Sequence, residues 1–189
     1  MNENQKYIDQ CFKNLIENEI ISQEDLKPST ISDKEIEDLQ NQFNIKLPEL
    51  YTDFLKSYFF EFDTLLGVVD NLNYFKEQYV MLIPNNDKDL KGIYDYWSML
   101  EGEYKLLSNG FLPIGDWGNG FGPLCIDTHK SLDEVDYNSK ETWTVVWFDQ
   151  EEFWGGEMYE DFTDVAIPAA PDFHELMEWY FMDKYEDEV

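Results

Sequence analysis

Apolar positions recur at helical spacing from the start of the chain. Over 5–21, Tyr7, Ile8, Cys11, Phe12, Leu15, Ile16 and Ile20 share one face, which predicts a helix with a single buried stripe. Segment 22–31, holding Pro28, Ser29 and Thr30, reads as a connector. Ser32-Asp33-Lys34-Glu35 has the form of a capping box, with Ile31 and Ile36 as its hydrophobic staple. Ile36, Leu39 and Phe43 carry that helix on, and Asn44 is a left-handed stop. Pro48 stands as the first residue of the next helix, where a missing N–H is no loss. Leu50, Tyr51, Phe54, Leu55 and Tyr58 give this helix its buried face.

The period then shortens. Segments 65–69 and 78–83 read as strands, closed by Pro84-Asn85-Asn86. Over 90–107 the spacing of Tyr94, Trp97, Leu100 and Tyr104 returns to a helix. Segment 111–114 is a strand, 115–122 a glycine-rich loop and 124–128 the returning strand. The run TWTVVWF over 142–148 is apolar nearly throughout, which predicts a strand covered on both faces. Pro171 opens a last helix over 173–185, with Phe173, Leu176, Met177, Tyr180 and Phe181 inward and Asp172 and Glu175 complementing its dipole. The tail, 186–189, reads as frayed. The order predicts an α+β fold: a mostly antiparallel sheet with helices packed on one side, N-terminal helices and a closing C-terminal helix. Residues 1–30 read as an N-terminal helical extension and 31–189 as the α+β domain.

Composition agrees with a packed protein. Of 189 residues, 43% are hydrophobic and 17% aromatic, enough for a sizeable core. No signal segment and no run of about 18 apolar residues is present, so a cytoplasmic protein is expected. Cys11 and Cys125 are then expected as free buried thiols.

Charge changes the picture most. Forty-one acids oppose thirteen cations, a net −28, and every cation is Lys. Such a field repels nucleic acid and anionic membranes and steers in a basic protein. Solubility alone is the plainer reading of the same acidity.

The run Gly115-Asp116-Trp117-Gly118-Asn119-Gly120-Phe121-Gly122 has strands on both sides, whereas a phosphate loop requires a following helix. It reads as a hairpin turn. Asp87-Lys88-Asp89-Leu90-Lys91-Gly92 fails as a calcium loop, because Lys91 takes a ligand position and Ser98 stands where a bidentate Glu belongs. Asp127 and His129 could share a strand face, but no further metal ligands are indicated. Carboxylate pairs are inevitable among forty-one acids and carry no weight. No catalytic residue, metal or cofactor is expected.

An aromatic and acidic cluster is more informative. Glu151, Glu152, Phe153, Trp154, Glu157 and Tyr159 follow the apolar strand, and Asp116-Trp117 sits in the glycine-rich run. The last 41 residues hold fourteen acids and one Lys, a net −13. Aromatic anchors rimmed by carboxylates suit an interface with Lys and Arg. Equally, Phe153, Trp154 and Tyr159 suit a core. The contact candidates are Asp116, Trp117, Glu151, Glu152, Trp154 and Glu157.

An ordered set of segments resembles the SUKH superfamily. Ile31-Ser32-Asp33-Lys34-Glu35-Ile36 leads into Ile45-Lys46-Leu47-Pro48-Glu49-Leu50-Tyr51 and Phe54-Leu55. Phe111-Leu112-Pro113-Ile114-Gly115 is followed by Leu124-Cys125-Ile126-Asp127, Val146-Trp147-Phe148-Asp149, and a last helix with Phe173 and Leu176. The resemblance spans roughly 31–182. It implies a non-catalytic α+β domain, acting in bacteria as an immunity protein against a toxin domain and in fungi as a scaffold regulating cell-wall synthesis. The helix before residue 31, the segment 88–107 and the loop 133–140 depart from shorter members. The expected function is therefore non-enzymatic binding of a basic partner, a cognate toxin domain such as a nuclease. A constitutive scaffold without a toxin is the alternative, and a carboxylate-dependent hydrolase a third reading.

Overall fold

A computed structural model describes residues 2–19, 21–60, 68–71, 75–82, 90–117, 122–129, 143–149 and 165–182; for 60, 68–71, 75–82, 180 and 182 it describes the backbone alone. The architecture is α+β with antiparallel pairing throughout the described strands. The chain divides into two compact units, 1–63 with 83–110, and 64–82 with 111–189.

The first unit is mainly helical. It holds α1 (Glu3–Glu17), β1 (Leu26–Pro28), α2 (Asp33–Phe43), α3 (Glu49–Ser57), β2 (Tyr58–Phe60) and α4 (Lys91–Tyr104). Helix α1 buries Ile8, Cys11, Phe12 and Leu15, the stripe its spacing predicts, and packs on α3. Phe12 lies 6.2 Å from Phe54 in a stacked pair and 4.9 Å from Tyr58 edge-on. Tyr58 donates its hydroxyl to Asp9 at 2.7 Å, and burial followed by that carboxylate pushes the phenol up to about 12. At α2 the capping box forms in full: Ser32 Oγ accepts the Glu35 N–H, and Glu35 Oε2 accepts the Ser32 N–H at 2.8 Å. Asn44 ends α2 at φ 53°, left-handed as its residue type predicts. Pro48 is the cap preceding α3 rather than its first residue.

The predicted connector contains a strand. β1 pairs with β2, Leu26 opposite Phe60 and Pro28 opposite Tyr58. Proline is compatible with a strand edge, and Pro28 is exposed there. Helix α4 occupies most of the 90–107 segment and buries Ile93, Trp97 and Leu100. Phe43 of α2 meets Trp97 edge-on at 5.5 Å.

The second unit is a six-stranded meander: β3 (Val68–Asn71), β4 (Phe75–Leu82), β5 (Phe111–Trp117), β6 (Gly122–Asp127), β7 (Thr144–Trp147) and β8 (Ile167–Ala170), each paired with the next. Closing helix α5 (Phe173–Met182) packs against β3, β7 and β8. β3 and β8 are the two sheet edges, so one helix can reach both only if the sheet coils strongly. Register shifts in the β3–β4, β5–β6 and β7–β8 pairs supply local bending. Gly110, at φ 80°, makes the turn into β5 that a side chain would disfavour.

Val145, Val146, Trp147 and Phe148 are all buried, and β7 has a partner on each side, as its apolar run predicts. Phe173, Leu176, Met177 and Phe181 of α5 are buried as expected, while the Tyr180 side chain and 183–185 lie outside the described residues. The expected fraying of 186–189 and the loop 133–140 fall outside them too. Strand β8 has no counterpart in the sequence reading. Cys11 and Cys125 are free and buried, and burial, then Asp127, raises the Cys125 thiol well above its ordinary range. Among the described residues no helix is long and apolar enough to cross a membrane.

Candidate binding site

The glycine-rich run does not behave as one loop. β5 continues through Gly115, Asp116 and Trp117, and β6 begins at Gly122. The register shift between Pro113 and Gly115 takes up Ile114 as the extra residue, and Gly115 stays in the ladder opposite Leu124. Trp117 is consequently a core residue and not an exposed anchor: it is 0% exposed and stacks on Trp147 at 5.9 Å with 23° between the rings. Gly122, directly opposite Trp117 on the intervening strand, has no side chain to stand between them. Asp116 is half-buried, its neighbour on β5 but on the opposite face by strand alternation. The structure thus brings these two candidates together in sequence and separates them in space. Glu151, Glu152, Trp154 and Glu157 lie outside the described residues, as do Phe153 and Tyr159.

A site that sequence reasoning missed lies in the first unit. A cavity of about 310 Å³ is lined by Glu35 and Asp38 of α2 and by Leu90, Lys91 and Tyr94 at the start of α4. The capping box fixes where α2 begins, and Glu35 and Asp38 then stand at i and i+3 on one side of the helix. Leu90, 3% exposed, precedes α4 and accepts the Tyr94 N–H at 2.9 Å. That first turn sets Tyr94 above Leu90, with its ring 6.0 Å from Phe43.

The cavity is electrostatically negative. Ser32 holds the Glu35 carboxyl below its ordinary value by donating its hydroxyl and its N–H. The Asp38 carboxylate is exposed and makes no hydrogen bond or ion pair among the described residues. Burial first, then Asp38 and Glu35, raise the Tyr94 phenol. Among the described residues Lys91 contributes the one cation on the wall. In the sequence Glu35 was legible as a cap, but Leu90 and Tyr94 stand more than fifty residues away, and no local signal joins them.

The two buried carboxylates of the second unit, Asp127 and Asp172, are locally satisfied. The buried Asp127 carboxylate accepts the His129 N–H and meets its Nδ1 at 2.9 Å, closing a turn after β6. Asp172, 2% exposed, accepts the Glu175 N–H at 2.7 Å and caps α5. Among the described residues His174, Glu175 and Glu178 place donor atoms within 4.8 Å of one another on α5. Glu175 already accepts the Trp179 Nε1–H at 3.1 Å, and all three donors are half-exposed on a single helix.

The model of the SMI1 / KNR4 family (SUKH-1) matches residues 30–179. No curated protein matches the chain.

Proposed function

This chain belongs to the SMI1 / KNR4 family (SUKH-1), and on that premise we propose that it is a non-enzymatic acidic binding protein, an immunity protein that neutralises a basic toxin domain by holding it. The observation that carries this reading is the charge: a net −28 with no arginine, on a chain of a family whose resemblance implies immunity or regulatory roles. Carboxylates presented where nucleic-acid phosphates would lie accelerate encounter with a cationic surface and compete for its Lys and Arg. A toxin nuclease is the partner such a field suits best. Neither nucleic acid nor an anionic membrane suits it.

The described residues add support of one kind. Asp38 is an exposed acid that makes no ion pair or hydrogen bond among the described residues, so it remains available to a partner. The alternative, a constitutive regulatory scaffold, draws on the same family membership. Co-expression with the product of the adjacent gene separates the two. Growth rescue together with co-purification is expected; a neighbour that is harmless alone and does not co-purify counts against the immunity reading.

A further inference from the structure

The geometry points to the cavity between α2 and the start of α4 as a receptor for one arginine side chain of a protein partner. Resting on the reading of an acidic capture protein, it gives that reading a defined pocket. Three features select this occupant. Glu35 and Asp38 line one side, and among the described residues Glu35 Oε1 and both Asp38 oxygens accept no hydrogen bond. A guanidinium has five donors in a planar fork, enough to engage two carboxylates together, whereas an ammonium is a compact point charge. Tyr94 supplies a half-buried ring on which a flat cation stacks. Leu90 supplies an apolar surface for the methylene stem.

Charge complementarity is sharpened by what the chain lacks. It contains no arginine, so no guanidinium of its own can fill the cavity. Among the described residues its own cation there is Lys91, an exposed side chain at the first position of α4. The Lys91 ammonium lines the same cavity and repels an incoming guanidinium, so it weakens binding. The volume, about 310 Å³, lies at the lower end of the range for ligand clefts and suits a single long side chain better than a folded element.

The test uses the full chain and three probes: N-acetyl-arginine amide, N-acetyl-lysine amide and N-acetyl-citrulline amide, followed by NMR at low salt. The arginine probe is expected to shift the resonances of Glu35, Asp38, Leu90 and Tyr94 with a dissociation constant of about 1 mM. The lysine probe should bind several-fold more weakly, and the neutral citrulline probe should not bind. Asp38→Asn and Glu35→Gln should each weaken the arginine probe about 5-fold or more, the size of one charge-assisted contact. Glu35→Gln keeps the amide oxygen that the capping box needs, so the helix start is preserved. Lys91→Met should tighten binding, an outcome that a merely structural role for these residues does not give. Shifts scattered over the exposed acids and unchanged in Asp38→Asn would overturn the pocket while leaving acidic capture standing. Equal affinity for lysine and arginine would overturn the choice of occupant. An absence of binding by any probe would overturn the pocket too, with acidic capture judged separately by the co-expression result.

Discussion

Single residues set the frame of the first unit. Ser32 and Glu35 exchange hydrogen bonds that fix where α2 begins, and the same two residues hold one wall of the acidic cavity in place. Ser32→Ala removes the cap and should reduce stability by about 1 kcal/mol in urea denaturation at neutral pH. The Glu35 carboxyl is held below its ordinary 4.5 by Ser32. A depressed folded value means that its contribution is complete above 4.5 and is lost as pH falls through the lower folded value. Glu35→Gln should therefore lose less stability than the parent between about pH 6 and about pH 3. Equal acid sensitivity in the two proteins would show that Glu35 has no such role. This residue pair was legible because a capping box is a local rule. Asn44 was legible for the same reason, since a short polar side chain tolerates the left-handed conformation.

Elements were legible where the pattern is long and periodic, and obscured where a neighbour far along the chain decides. α1, α2, α3, α4 and α5 follow their apolar stripes, except that Tyr58, expected on the buried face of α3, lies half-buried in β2 because the helix ends at Ser57. β1 and β8 are not legible as strands: each is short and carries a proline, Pro28 or Pro168, which is exposed at a sheet edge, where a missing donor is tolerated. The glycine-rich run read as a loop because a glycine inside a strand looks like a turn until its partner across the ladder is known, here Leu124 opposite Gly115. That error carried Trp117 with it. Its surroundings, Trp147 two strands away and Gly122 opposite, are tertiary facts. Trp117→Ala should reduce stability by about 3–5 kcal/mol, because it deletes a wholly buried indole and leaves a cavity. Urea denaturation followed by circular dichroism checks this. A variant of unchanged stability that loses partner binding would restore the anchor reading.

At the scale of the whole molecule, net charge dominates. A charge of −28 over 189 residues repels itself in the folded state more than in the expanded one. Added salt screens that repulsion, so the melting temperature should rise on the order of a few degrees between about 10 mM and about 300 mM NaCl. Differential scanning calorimetry would read the change, and a melting point independent of salt would mean that the acids are already well paired. The proposed capture of a basic protein rests on the same field. The sign and size of the charge were plain from composition alone. The cavity that sets two of these acids beside Tyr94 was not, because its two walls come from separate stretches of chain.

The association rate with the co-purifying neighbour, followed by stopped-flow across ionic strength, tests capture by charge most directly. The rate should fall about 10-fold or more between about 20 mM and about 500 mM NaCl, because steering by opposite charge is screened beyond a Debye length. A rate that stays level across that range would contradict capture by charge.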